Sequence, residues 1–277
     1  MRLAISNLAW EPAEDVEVAR LLRQNRVDAI DVAPGKYFGD PATATAEQMQ
    51  AVRQWWADHG IQITGMQGLL FGTRGLNVFG APEVQTALLD HLRAVCRIGR
   101  GLGAQWLVFG SPRQRDRSGL TDAQAADTAV AFFRRAGDIA AEQGVTLCLE
   151  PNPPRYGANF MTTAAETASI VSAVDHPGIR MQFDTGALTI QEESAQTILA
   201  LCASRVAHVH ASEPDLVTLG DGGTDHATMG QALRRWLPHH VVCVEMLPAA
   251  HEPHVQAIER ALRVALQAYG PGPEGAA

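Results

Sequence analysis

Little in this chain points to an oxidising compartment, a membrane or a nucleic acid. It has only four cysteines, Cys96, Cys148, Cys202 and Cys243, widely spaced and without a CxxC pair. Three fall in or beside apolar runs, so they read as small core residues of a reducing compartment rather than as a disulfide framework. Basic residues are outnumbered, 22 Lys and Arg against 30 Asp and Glu, for a formal net charge of -8. A binder of phosphate backbones needs a cationic surplus for counterion release, so nucleic acid is not expected as a partner. No apolar run approaches the roughly 20 residues that span a bilayer, and no membrane partner is expected. The strand-like RLAISNLAW begins almost at Met1 without a basic segment and a long apolar one before it, so no secretory signal is expected and the protein is placed in the cytoplasm.

Low-complexity sequence and composition breaks are also missing from the interior. With 277 residues and 46% hydrophobic content the chain can bury one large core, and its length suits a single eight-unit barrel. Residues 1–269 are therefore read as one domain, and GPGPEGAA at 270–277 as a frayed tail.

What is present is an alternation of two periods. Short β-rich runs occupy Leu3 to Ala9, Ala29 to Ala33, Ile61 to Met66, Trp106 to Phe109, Val145 to Glu150, Ile179 to Asp184, Val206 to His210 and Val241 to Met246. Between and after them lie stretches such as Glu14 to Gln24, Ala46 to His59, Glu83 to Leu102, Asp122 to Gln143, Thr163 to Val174, Ala195 to Ala203, Ala227 to Leu237 and Val255 to Tyr269, where apolar residues return every three or four positions. Thr121 with Gln124, and Thr163 with Glu166, carry helix-capping chemistry, while Gly60 and Gly144 stand where helices turn back into strands. Alternating β and α segments imply parallel strands with right-handed crossovers, and eight of each close most economically as a (β/α)8 TIM barrel, an α/β fold. The glycine-rich loops from Pro34 to Thr45 and from Gly68 to Ala81 follow strands and belong on the catalytic face.

Four potential metal ligands end the last four runs: Glu150 in VTLCLEPN, Asp184 in IRMQFDTG, His210 in RVAHVHASEPD and Glu245 in VVCVEML. A lone glutamate at a strand end is most simply a solvated or turn-capping group. Four ligand types at the same end of consecutive strands converge on one point if the strands form a barrel, because that is the end at which such folds build active sites. Three carboxylates and one imidazole make a hard site, suited to Mn²⁺, Mg²⁺ or Co²⁺ and less to Zn²⁺. Two of the four, Glu150 and Glu245, stand on well-separated strands and are the candidate catalytic pair, one removing a proton beside a carbonyl and the other returning it.

These motifs resemble those of the xylose isomerase-like TIM barrels, which include ketose 3-epimerases, hydroxypyruvate isomerases and inosose dehydratases. The matching pieces are LEPN, FDTG, HVHASEP and VEM, with ligands separated by 34, 26 and 35 residues, and ISNLAW extends the resemblance toward the start. The resemblance implies that Glu150, Asp184, His210 and Glu245 bind a divalent metal, Mn²⁺ first, and that the two glutamates exchange protons with a small polyhydroxylated carbonyl substrate. An isomerase or epimerase of carbohydrate metabolism is the expected activity, with an inosose-type dehydratase as the alternative. An abasic-site endonuclease of the related trinuclear barrels would need further ligands that strands two to four do not supply, and a non-catalytic barrel would have no use for four intact ligands. The chain departs from the sugar epimerases at Ala187 and Leu216, where those enzymes carry a histidine and an arginine.

Substrate contacts are expected from the same rim: Gln67, Asn152, Glu213, Asp215 and His226, with His208 either touching substrate or orienting a neighbour. Lys36, beside Tyr37, follows the second strand and is a candidate contact from the open side, although a solvated loop lysine is the simpler reading. The arginines of SPRQRDRSG read as a solvated loop, and GRGLG at 99–103 follows a helix and is set aside as a nucleotide loop. Trp55, Trp56 and Trp236 fall in helical segments as packing or subunit-contact residues, which leaves a homo-oligomer open.

Overall fold

The computed structural model describes residues 1–270, so most of the expected tail at 270–277 lies outside the described residues. Eight strands pair in sequence order and close into a barrel. They are β1 (Arg2–Ser6), β2 (Ala29–Val32), β3 (Gln62–Met66), β4 (Trp106–Phe109), β5 (Thr146–Leu149), β6 (Ile179–Asp184), β7 (Val206–Ser212) and β8 (Val241–Glu245). Every pairing is parallel, and the β1–β8 ladder, with Leu3 opposite Val242 and Ile5 opposite Val244, completes the ring. The helices are α1 (Asp15–Gln24), α2 (Ala46–Asp58), α3 (Pro82–Leu102), α4 (Asp122–Gln143), α5 (Ala164–Val174), α6 (Thr185–Ile190), α7 (Ala195–Cys202), α8 (His226–Trp236) and α9 (His254–Tyr269).

Local chemistry sets these boundaries. Thr121 accepts the Gln124 amide and Gln124 reaches back to the Thr121 amide, a reciprocal cap that starts α4. The same helix ends on Gly144, whose φ of 68° is the left-handed turn that delivers the chain into β5. On α3 the residues Leu88, Leu92, Val95 and Cys96 recur at helical spacing and are buried against the barrel, each large aliphatic side chain contributing about 1.5–3 kcal/mol. All four cysteines are buried free thiols. No described helix is long and apolar enough to cross a membrane.

Two departures from the sequence reading affect the site. The first strand ends at Ser6 rather than Ala9, because the Ser6 hydroxyl accepts the Leu8 amide and winds residues 7–9 into a 3-10 turn. An unexpected helix, α6, leaves β6 directly: Asp184 caps it by accepting the Ala187 amide at 2.6 Å. The carboxylate that ends a strand thus also starts a helix, and two structural constraints fix its direction.

Candidate active site

Strand register does most of the assembly. Asp184 on β6 lies opposite His210 on β7. His210 in turn lies opposite Cys243 on β8, so Glu245, two residues further, shares its face with the neighbouring ligand strands. Glu150 follows β5 directly. One ligand atom from each of Glu150, Asp184, His210 and Glu245 can be chosen such that all four lie within 4.8 Å of one another. The His210 Nδ1 atom is 3.1 Å from Glu245 Oε2 and 3.3 Å from Glu150 Oε1.

Hydrogen bonds hold each carboxylate, the two glutamates by one oxygen and Asp184 by both. Gln67 Nε2 donates to Glu245 Oε1 at 2.8 Å. Asn152 Nδ2 donates to Glu150 Oε2 at 3.2 Å. Ser212 Oγ donates to Asp184 Oδ2 at 2.8 Å. The inner oxygens of the glutamates face the centre, and Glu150 Oε1 is buried without any hydrogen-bond partner. A further constraint comes from Gly110, where an added Cβ would fall 1.9 Å from Glu150 Oε2.

Three carboxylates around one ring leave excess negative charge in a buried place. Burial, with Glu150 and Glu245 beside it, pushes the Asp184 carboxyl up to about 7. Burial opposes a charge on His210, yet Glu245 and Glu150 outweigh it and hold the ring well above the usual histidine range. An orphaned buried oxygen, mutual repulsion and a donor set of three carboxylates with one imidazole fit a hard divalent cation, which these groups could bind.

Beneath the cluster lies a second polar layer. Asp31 Oδ2 is 2.5 Å from His208 Nε2, and Asp31 Oδ1 accepts from Thr64 Oγ1 at 3.0 Å. Burial works against the Asp31 charge, but His208 and His210 hold its carboxyl below the ordinary range. Asp31, His208, His210 and Cys243 also lie within ligand distance of one another. Burial and the neighbouring Asp31 push the Cys243 thiol far up, and the layer lies against His210.

The cleft above the cluster encloses about 470 Å³ and is lined by Glu150, Asn152, Asp184, Glu213, Asp215 and Glu245, among others. Of the other expected contacts, Gln67 lies behind Glu245. Glu213 is engaged: it accepts from the Gly220 amide at 2.7 Å and the Thr224 amide at 2.9 Å and pairs with His226 at 3.0 Å. Burial tends to raise its pKa, yet the His226 bond and these amides hold its carboxyl down at about 2. His226 itself bridges Glu213 and the Tyr269 hydroxyl. Asp215 is paired with Arg155 across the mouth. Lys36 is turned away, its ammonium on the Trp10 carbonyl and 3.3 Å from Glu11.

Two residues that the sequence did not single out bear on the site. Asp31 is one, a charge inside the four-residue, fully buried strand AIDV, which is itself an anomaly worth noticing. Arg115 is the other and corrects the solvated-loop reading: it is fully buried. It donates to the Glu150 carbonyl at 2.6 Å and to Asn152 Oδ1, so Asn152 passes its constraint on to the Glu150 carboxylate. Only its distance in sequence from Glu150 hid it.

A D-psicose 3-epimerase of Enterocloster bolteae is 26% identical over 203 residues, 69% of this chain and 63% of that protein. A D-psicose 3-epimerase of Ruminiclostridium cellulolyticum is 28% identical over 107 residues, 39% of this chain and 36% of that protein. The match thus spans less than two thirds of either relative's length. A crystal structure of a D-psicose 3-epimerase in the presence of D-fructose superposes with a TM-score of 0.81 at 19% identity, covering 98% of this chain and all of that one. A model of the xylose isomerase-like TIM barrel matches residues 19–267, and the chain belongs to that family.

Proposed function

We propose that the protein is a divalent-metal-dependent epimerase of small polyhydroxylated carbonyl compounds, with Glu150 and Glu245 as the proton-exchanging pair. The observation that carries this reading is the arrangement of the two glutamates. Each has one oxygen tied by an amide donor, from Asn152 or Gln67, while the other faces the shared centre beside His210. Two carboxylates held in this way can take a proton from one face of a carbon and deliver one to the other, which inverts the centre. The similarity to D-psicose 3-epimerases supports the same chemistry.

When bound, a cation at Glu150, Asp184, His210 and Glu245 would supply positive charge to the oxygen that becomes negative as the neighbouring C–H ionises. The chain's own residues do the rest. Asp184 and His210 hold fixed positions, the first by the Ala187 and Ser212 bonds and the second between the glutamates and the Asp31 layer. Gln67 and Asn152 prevent the bases from rotating away. Mn²⁺ is the preferred ion on this reading.

The test is product analysis. Chelated protein given a ketose should return it unchanged, and addition of Mn²⁺ should produce its epimer at unchanged mass. A product lighter by one water would move the reading to a dehydratase, and no change with any metal or ketose would end it.

A further inference from the structure

The polar layer beneath the carboxylate cluster is itself a donor set. Asp31, His208, His210 and Cys243 each offer one ligand atom, and all four atoms lie within 4.8 Å of one another. None of the four side chains reaches solvent. His210 faces both groups through its two ring nitrogens. Its Nδ1 lies beside Glu150 and Glu245, whereas its Nε2 is 3.9 Å from Asp31 Oδ2 and has no hydrogen-bond partner. His208 presents Nε2 to the same Asp31 oxygen at 2.5 Å. Strand register sets Cys243 opposite His210, and its thiol donates to the Val244 carbonyl at 3.6 Å, a long contact. The Asp31–His208 pair alone leaves the orphaned Nε2 of His210 without a purpose.

We propose that Asp31, His208, His210 and Cys243 form a second cation site, for a thiophilic divalent ion such as Zn²⁺, with the His210 ring bridging it to the carboxylate cluster. Such a site stands whatever reaction the cleft carries. One thiolate, one carboxylate and two imidazoles suit zinc or cobalt, while the three carboxylates above suit a harder ion, so the two clusters select different metals. A thiolate and a carboxylate also balance the charge of a divalent ion, as a buried place requires. Tetrahedral bonds of about 2.0–2.3 Å set ligand atoms about 3.3–3.8 Å apart, so the Asp31–His208 contact opens on binding and the Asp31–His210 contact stays nearly as it is. Binding releases the thiol proton and, with the upper cluster filled, the ring proton of His210.

The layer is sealed, so the ion is supplied while the barrel forms, by producing the protein in medium supplemented with Co²⁺. The parent should carry two cobalt ions per chain, one for each group, and show a thiolate-to-cobalt charge-transfer band in the near ultraviolet. Cys243→Ala should lose the band and one ion, whereas Glu245→Gln, altered only in the upper cluster, should keep the band. X-ray absorption by the Zn²⁺-loaded parent reads the same bond without a variant, as a sulfur neighbour at about 2.3 Å. Absence of either the band or the sulfur neighbour in the parent overturns the proposal, as does a band that survives Cys243→Ala or disappears in Glu245→Gln. None of these results bears on the epimerase reading, which stands or falls on product formation with Mn²⁺.

Discussion

His208 Nε2 lies 2.5 Å from Asp31 Oδ2, and neither side chain is exposed to solvent. The pair joins two strands across the barrel, 177 residues apart in sequence, directly beneath the ring of His210. Asp31 Oδ2 is also 3.9 Å from His210 Nε2, which has no hydrogen-bond partner of its own. The floor of the barrel therefore supports the metal-type cluster electrically as well as sterically.

Removing one member of a buried pair leaves the other uncompensated. Asp31→Ala should lower unfolding free energy by about 3–5 kcal/mol in denaturant titration. Asp31→Asn keeps the shape but not the charge and should weaken Mn²⁺ binding by about 10–100-fold, as loss of a group that orients a ligand does. Unchanged stability in the first variant would show that the pair contributes nothing.

The acidic cluster makes an opposite prediction for the metal-free protein. Burial, and then repulsion from Glu150 and Glu245, raises the Asp184 pKa, so in the absence of metal Glu245→Gln relieves repulsion that offsets its lost pairing with His210. The variant should melt at the same temperature as the parent or higher when chelated, should lose the rise in melting temperature that Mn²⁺ gives the parent, and should turn over about 10²–10⁴-fold more slowly. A chelated variant that melts well below the parent would contradict the charge argument.

Gly110 can be altered at little cost to the fold but not to the site. Its new Cβ in Gly110→Ala would meet Glu150 Oε2 at 1.9 Å, and the end of a side chain yields more readily than backbone does. Metal affinity and activity should fall together, with the melting temperature of the chelated protein nearly unchanged. Loss of folding instead would mean that Glu150 cannot move.

Glu213 predicts a pH dependence of stability. Its folded-state pKa of about 2 lies below the ordinary value, so its contribution is present above the unfolded-state pKa and is lost as pH falls toward the folded value. The stability difference between the parent and Glu213→Gln should be constant above pH ~5 and shrink between about pH 4.3 and 2. A difference independent of pH would show that the Gly220 and Thr224 amides hold a neutral group equally well.

The barrel and the convergence of Glu150, Asp184, His210 and Glu245 were legible because a parallel ring puts every strand's carboxyl end on one face. A polar residue closing an apolar run, as Asp184 closes IRMQF, therefore marks both position and direction. Asp31 and Arg115 were not legible for the same kind of reason in reverse. Asp31 sits inside its run, and its partner is fixed only when the ring closes. Arg115 shares a loop with exposed Arg113 and Asp116, and burial is decided by the contact with Glu150 and Asn152, which local sequence does not encode. Helix α6 is six residues long, too short for periodicity to register against the strand before it. The direction of Lys36 was not legible because a residue after a strand can turn either way, and the Trp10 carbonyl, in the adjoining loop, captures it.

On the proposed mechanism Glu150 and Glu245 move a proton between solvent and a substrate carbon. The direct measurement is incubation of Mn²⁺-loaded protein with a ketose in D₂O and mass analysis of the recovered sugar. Deuterium should enter one carbon next to the carbonyl at the rate of epimer formation, and Glu150→Gln and Glu245→Gln should each abolish net inversion. Epimer formed without deuterium, at a rate unaffected by either substitution, would exclude proton transfer by this pair.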